Sequence, residues 1–184
     1  PLILPSPYIV MKALSESIMR GEILRETMYS LLIIFEGLFI GTLLASVFAL
    51  TSRKWKPMED FVETLMAIAH PLPGIALLPL IILWLGTGRN SVVFVIIHSV
   101  LWPMLLNIIA GFKTIPRIFI DVGQNFGAGE ARLIRTIYIP ASMPFIISGL
   151  RISWARAWRA LISAEMIFGA VGGKGGLGWY IFKQ

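Results

Sequence analysis

Cysteine is absent from the 184 residues, which removes disulfides and thiolate metal sites from the possible folds. Charge is scarce as well: Asp, Glu, Lys and Arg together make up 14% of the chain, too little for an ordinary soluble surface. The only histidines, His70 and His98, stand apart with nothing near either at metal-ligand spacing, so both read as packing or interfacial residues and no metal is expected. No Gly-x4-Gly-Lys-Ser/Thr phosphate loop occurs, so any ATP-driven process needs a nucleotide-hydrolysing fold on another polypeptide. Ser91, Ser99, Ser153 and Ser163 come without a Gly-x-Ser-x-Gly turn, which leaves an intramembrane hydrolase unsupported. Neither enzymatic chemistry nor a cofactor is expected. The chain begins at Pro1 and shows no signal peptide.

What the chain has in abundance is apolar sequence: 57% hydrophobic residues and a mean hydropathy of +0.80. A hydrocarbon core takes about 20 helical residues to cross. Four runs are long enough, Tyr29 to Leu50, Phe61 to Leu85, Ser91 to Phe112 and Met143 to Ala170. The expectation is an all-α polytopic transmembrane helix bundle with no separate soluble domain. The net charge of +6 then speaks for anionic lipid or an acidic partner surface rather than nucleic acid.

Arg53, Lys54 and Lys56 crowd the end of the first run, and Lys113, Arg117, Arg132 and Arg135 surround the polar stretch before the last, which marks both loops as cytoplasmic. Residues 1–28 read as an external, interface-lying segment. In it Ser6 can cap a helix with Pro7 at its first position, and Val10, Leu14 and Ile18 recur on one face. Residues 29–112 hold the first three core spans, 113–142 a cytoplasmic loop, and 143–184 the last core span and an external tail. Trp84, Trp102, Trp154, Trp158 and Trp179 read as interface belt or bundle filler.

Prolines 71, 73 and 79 each remove a backbone donor, so the second run should kink or unwind. Freed carbonyls in lipid are tolerated where protein or a watery path covers them. Two readings stand: Pro71 and Pro73 line a translocation route, or the kink serves packing alone. Glu36, Arg156, Arg159 and Glu165 lie inside the apolar runs, where each charge costs roughly 2.5–3.5 kcal/mol at a helix centre. They should face the bundle interior. Pairing of Arg156 or Arg159 with Glu36 or Glu165 is one explanation, and a cationic lining for an anion is the other.

The most informative stretch is Asp121-Val122-Gly123-Gln124-Asn125-Phe126-Gly127-Ala128-Gly129-Glu130, with Arg132 and Arg135 following and Ile137-Tyr138-Ile139-Pro140 closing it. Gly127 can take positive φ and so end one helix and start another, and Pro140 should stop the second. By spacing alone this is either a helix-turn-helix elbow or an ordinary amphipathic loop. The acid six residues before Gly127, and the Ile-x-Ile-Pro beginning ten after it, resemble the cytoplasmic signature loop of permease subunits of ATP-binding-cassette importers. The family's usual opening is an acid and two alanines, against Asp121-Val122-Gly123 here.

Further blocks are similar to the nitrate, sulfonate and taurine branch: Leu4-Pro5-Ser6-Pro7, Pro71 to Leu80 running into Leu83-Trp84-Leu85-Gly86-Thr87-Gly88, Gly149-Leu150-Arg151-Ile152, Arg156-Ala157-Trp158 and Ala164-Glu165-Met166. The resemblance implies an inner-membrane, multi-pass type I importer permease core. About four to five spans are present, without the first and last of the usual six.

The resemblance also implies partners: separate ATPase subunits, an external substrate-binding protein, and a second permease subunit, as a homodimer. On the ATPase, Asp121, Gly127, Ala128, Glu130, Arg132, Arg135 and Pro140 would form the coupling contact, with Leu133, Ile134 and Ile137 as its apolar side. Glu36, Pro71, Pro73, Arg156, Arg159 and Glu165 would belong to the path. The implied cargo is a small oxyanion such as nitrate, a sulfonate or taurine. A thiamine-precursor-like metabolite is the alternative within the family, and a passive channel or membrane scaffold the alternative outside it.

Overall fold

In the computed structural model, residues 6–168 and 176–183 are described, and these are helical throughout apart from short turns. Leu4, Pro5, Lys174 and the end of the run to Ala170 lie outside the described residues. The first helix, α1 (Pro7–Met19), has Pro7 in its first turn as expected, but the Ser6 side chain makes no capping hydrogen bond. None of its residues is buried, and Ile9, Met11, Leu14 and Ile18 are exposed beside Lys12 and Glu16. It ends at Gly21, whose φ of 70° turns the chain into α2 (Glu22–Ser52).

Helix α2 has two contrasting faces. Leu32, Phe35, Phe39 and Leu43 recur at helical spacing and are exposed, as lipid-facing residues are. Gly37, Gly41, Ala45 and Ala49 recur every four residues on the buried face. A Cβ added at Gly37 would come within 2.4 Å of the Ile96 side chain, and one at Gly41 within 2.8 Å of Val100. Small residues at this spacing let two backbones approach closely where no hydrophobic force separates helix from lipid.

The partner is α5 (Arg89–Lys113), buried on nearly every side from Ser91 to Gly111 and therefore the central helix. Between them the chain forms α3 (Lys56–Ala69), a 3-10 turn at Gly74–Leu77, and α4 (Leu78–Leu85). The two limbs meet at 89°, so the second apolar run is broken in the middle, as a broken span or a re-entrant loop is. Pro71 and Pro73 sit in the break, where two missing N–H donors interrupt the ladder. Pro79 does not kink the chain: it lies in the first turn of α4, where its N–H would have had no intrahelical partner.

After α5 come α6 (Arg117–Asn125), a single turn α7 (Glu130–Leu133), a π-helical turn at Ile134–Tyr138, and α8 (Ile139–Phe168). The last three run on as one helix of 39 residues. Pro140 therefore does not stop a helix. The wider π turn directly before it re-registers the hydrogen bonds where a proline would otherwise face an α-helical carbonyl. Helix α8 packs along α5, with Ser153 Oγ donating to the Val100 carbonyl at 3.3 Å. The short α9 (Leu177–Lys183) closes the chain against α2 and α8. Among the described residues three helices are long and apolar enough to cross a membrane, or four if the bent pair counts as one span, against the four to five expected.

Candidate functional site

Two features carry chemistry or mechanics, and the first is the elbow around Gly127. Helix α6 ends in a hydrogen-bonded cap: Gly127 N–H donates to the Gln124 carbonyl at 2.8 Å, and Ala128 N–H to the Gly123 carbonyl at 3.0 Å. This pattern needs a left-handed residue after the helix, and Gly127 supplies it with φ of 73°. Gly123 lets α6 lie against the returning helix. A Cβ there would meet Leu133 at 2.6 Å and Ile137 at 3.0 Å.

Leu133 and Tyr138 are buried with Ile115, and Ile137 packs on them, so the expected apolar side of the loop faces inward onto this protein. What faces out is α6, whose Ile118, Phe119 and Val122 are exposed together with Phe126 just beyond its end, the last 84% exposed. Asp121, Arg132 and Arg135 are exposed beside them.

The elbow is tied to the bundle through Arg53 at the end of α2. Its guanidinium lies 4.4 Å from the Tyr138 ring centroid, donates to Tyr138 Oη at 3.2 Å, and pairs with Glu130. Lys54 adds a longer contact to Glu130 at 3.9 Å. Glu130, expected as a contact on an ATPase, is paired within the chain while its side chain stays 47% exposed. Tyr138 in turn packs edge-on against Phe112 of α5, with ring centroids 5.3 Å apart. Lys113 bridges to Glu63 and Glu59 of α3 at 2.9 and 3.2 Å. The elbow and the ends of α2, α3 and α5 therefore meet at one end of the bundle, in keeping with the basic residues that mark both loops as one side.

The second feature is a cavity of about 520 Å³ beside the broken span. Its floor is the break itself, from His70 to Ile75, and its walls come from α5 and α8. Arg156, Arg159 and Ser163 line it from α8, and His98, Ser99 and Trp102 from α5. Gly74 makes this geometry possible, since a Cβ on it would fall 2.9 Å from Ser99 Oγ and 3.3 Å from His98 Nδ1. Gly74→Val should therefore push the break away from α5 at about 1–3 kcal/mol of overpacking. The check is the thermal midpoint of the detergent-purified protein, expected to fall by a few degrees.

Comparison with known proteins decides the family. Residues 17–183 match the family described as binding-protein-dependent transport system inner membrane component. This chain belongs to that family. It is 28% identical to a chain named as an ABC transporter permease in Methanocaldococcus jannaschii, over 100% of its own length and 70% of that relative. It is 27% identical to the taurine transport system permease of Escherichia coli, over 91% of itself and 62% of the relative. The nitrate import permease of a Synechocystis strain is 28% identical over 79% of this chain and 49% of that one. The chain thus spans from about half to somewhat over two thirds of these relatives. It is an all-α, multi-pass inner-membrane permease component.

The permease brings Pro71, Pro73, Arg156 and Arg159 together at the cavity, whereas Glu36 and Glu165 are placed elsewhere. The expected Arg–Glu pairings within the membrane do not form. Glu36 pairs with Arg89 at the start of α5. Glu165, only 2% exposed, accepts from Ser30 Oγ at 3.2 Å and from Gly178 N–H at 2.7 Å. Arg159 Nε donates to its own helix, at the Ala155 carbonyl, 3.2 Å away. Sequence reasoning missed His98 and Trp102 as cavity residues. Their four-residue spacing puts both on one face near the middle of α5, and that placement was the signal that set Trp102 apart from an interface belt.

Proposed function

We propose that this permease is the membrane-spanning subunit of an ATP-driven importer for a small oxyanion, with ATP hydrolysed on separate subunits and cargo delivered by an external binding protein. The observation that carries the reading is α6: a short helix with three large apolar side chains exposed in a polar, cytoplasm-facing loop, fixed to the bundle through Arg53 and Tyr138. Such a face needs a partner, and a lever anchored to α2 and α8 can pass that partner's motion to the spans. Arg132 and Arg135 offer it charge, while Glu130 keeps the lever stiff. A second copy of the permease is proposed as the other half of the path.

The oxyanion follows from the cavity. Arg156 and Arg159 line it, and no carboxylate does among the described residues. Relatives named for taurine and nitrate support an oxyanion, and a relative named for riboflavin leaves the choice of cargo to the cavity.

Proteoliposomes holding the full-length permease, its ATPase and its binding protein should take up nitrate or taurine only when ATP is supplied. Flux without ATP would make the protein a passive channel, and no flux of either anion would remove the oxyanion as its cargo. Arg159→Gln should lower that uptake about tenfold or more at normal membrane abundance. Loss of assembly instead would assign Arg159 to packing.

A further inference from the structure

The end of α2 opposite the elbow sorts its charges. Helix α1 meets α2 there, and Lys12, Arg20 and Arg25 are all exposed whereas Glu16, Glu22 and Glu26 are half-buried. Arg25 and Glu26 show the contrast at adjacent positions: they pair at 2.9 Å, yet the arginine side chain is 77% exposed and the glutamate 13%. Lys12 and Arg20 have no carboxylate partner among the described residues. On the inward side the Tyr180 hydroxyl of α9 lies 2.5 Å from Ser17 Oγ and 3.4 Å from the Glu22 carboxylate, which fixes the roll of α1 and of the start of α2.

The outward surface is also apolar. Met11, Leu14 and Ile18 of α1 are exposed, and so are Leu24 and Met28 of α2, which open the stripe that continues through Leu32, Phe35 and Phe39. At helical spacing these α2 positions fall on one face with Arg25 at its edge, while Glu22 and Glu26 fall on the far side. The lipid-facing stripe of α2 therefore begins among exposed cations.

We infer that this surface is a seat for anionic phospholipid, in which Met11, Leu14 and Ile18 enter the leaflet on the side opposite the elbow and Lys12, Arg20 and Arg25 hold headgroup phosphates. An interfacial helix binds a charged membrane by dipping apolar side chains below the headgroups beside lysine and arginine, and acids on the same surface would oppose it. The long basic stems can lie among acyl chains while their charged ends reach the phosphates. A soluble partner could cover α1 but not Leu32 and Phe35 further along the span, so the occupant that covers the whole stripe is lipid. The inference goes beyond the importer reading and does not rest on it.

The test is the depth of a spin label, which the absence of cysteine from the 184 residues makes clean. Met11→Cys and Ile18→Cys in the full-length permease each carry one nitroxide, in vesicles of equal parts phosphatidylcholine and phosphatidylglycerol. Both labels should be relaxed more by dissolved oxygen than by a water-soluble nickel chelate, as a label below the headgroups is. In phosphatidylcholine alone that preference should fall by about twofold or more, since the attraction of the cations is lost. Lys12→Gln combined with Arg20→Gln should make the two kinds of vesicle alike. A monodisperse gel-filtration peak in detergent reports that each variant is folded.

Labels relaxed more by the nickel chelate in both kinds of vesicle would overturn the seat. So would equal immersion of the wild-type charges with and without phosphatidylglycerol, which would remove the anionic headgroup as the ligand. Labels that stay in water until an external binding protein is added, and then lose mobility, would give this surface to that protein and overturn the seat as well.

Discussion

Gly127→Val is expected to abolish most ATP-driven uptake, by about tenfold or more, while the amount of protein in the membrane stays within about twofold of wild type. Gly127 holds φ at 73°, a region that β-branched residues scarcely enter, and forcing one there costs on the order of 1–3 kcal/mol. The cost is backbone strain alone, because a Cβ at this position would meet nothing within 4 Å. Valine should therefore discard the α6 cap, in which Gly127 and Ala128 donate to Gln124 and Gly123, and let α6 swing free of the helix that begins at Glu130.

The spans are untouched by that change, so insertion should survive. Basal ATP hydrolysis by the partner subunits should survive too, leaving hydrolysis uncoupled from transport. Gly127→Asn provides the discriminating control, since asparagine tolerates the left-handed region far better and should keep most of the uptake. Uptake by Gly127→Val at the wild-type rate would remove the elbow from the transport mechanism.

What could be read in the sequence, and what could not, divides by range. The left-handed turn at Gly127 and the break at Pro71 and Pro73 are local consequences of residue type: a missing Cβ and two missing donors act wherever they stand. The apolar runs announce the spans in the same way. Pro79 and Pro140 show where even local reasoning needs register. The same ring that breaks a helix interior is harmless in the first turn of α4, and is accommodated after the π turn at Ile134–Tyr138.

Tertiary partners were illegible. Nothing near Glu36 in the sequence names Arg89 as its counter-ion, because the pair is made by the packing of α2 along α5 through Gly37 and Gly41. For the same reason Leu133 and Ile137, apolar side chains on a loop, could face either a partner or this chain. Their burial against Ile115 and Tyr138 follows from the closeness that Gly123 permits. The candidate cavity was half legible: its arginines stand out in an apolar run, but an imidazole and an indole do not reveal from sequence whether their nitrogens are satisfied.

Glu165→Ala is expected to have the second large effect, on the architecture rather than on the lever. The carboxylate is a junction of three helices: it stands on α8, accepts from Ser30 Oγ of α2, and accepts from the Gly178 N–H in the first turn of α9. Ser30 Oγ accepts in turn from the Leu177 N–H at 2.9 Å, so two of the otherwise unpaired donors at the start of α9 end on this pair of side chains. Gly178 permits the approach, since a Cβ there would lie 3.0 Å from the Glu165 carboxylate.

Alanine would leave a buried N–H without an acceptor, at about 1–3 kcal/mol, and would add the void of the lost side chain. The purified protein should melt several degrees lower, and amides of residues 177–183 should exchange hydrogen faster than in wild type while those of α5 do not. Glu165→Gln keeps one oxygen of the same shape to accept from Gly178, so it should recover most of that protection. Equal losses in the two variants would mean that negative charge matters more than the hydrogen bond. Unchanged exchange at 177–183 in Glu165→Ala would mean that α9 is held by the packing of Tyr180 near Ser17 and Glu22 instead, where its hydroxyl donates to Ser17 Oγ at 2.5 Å.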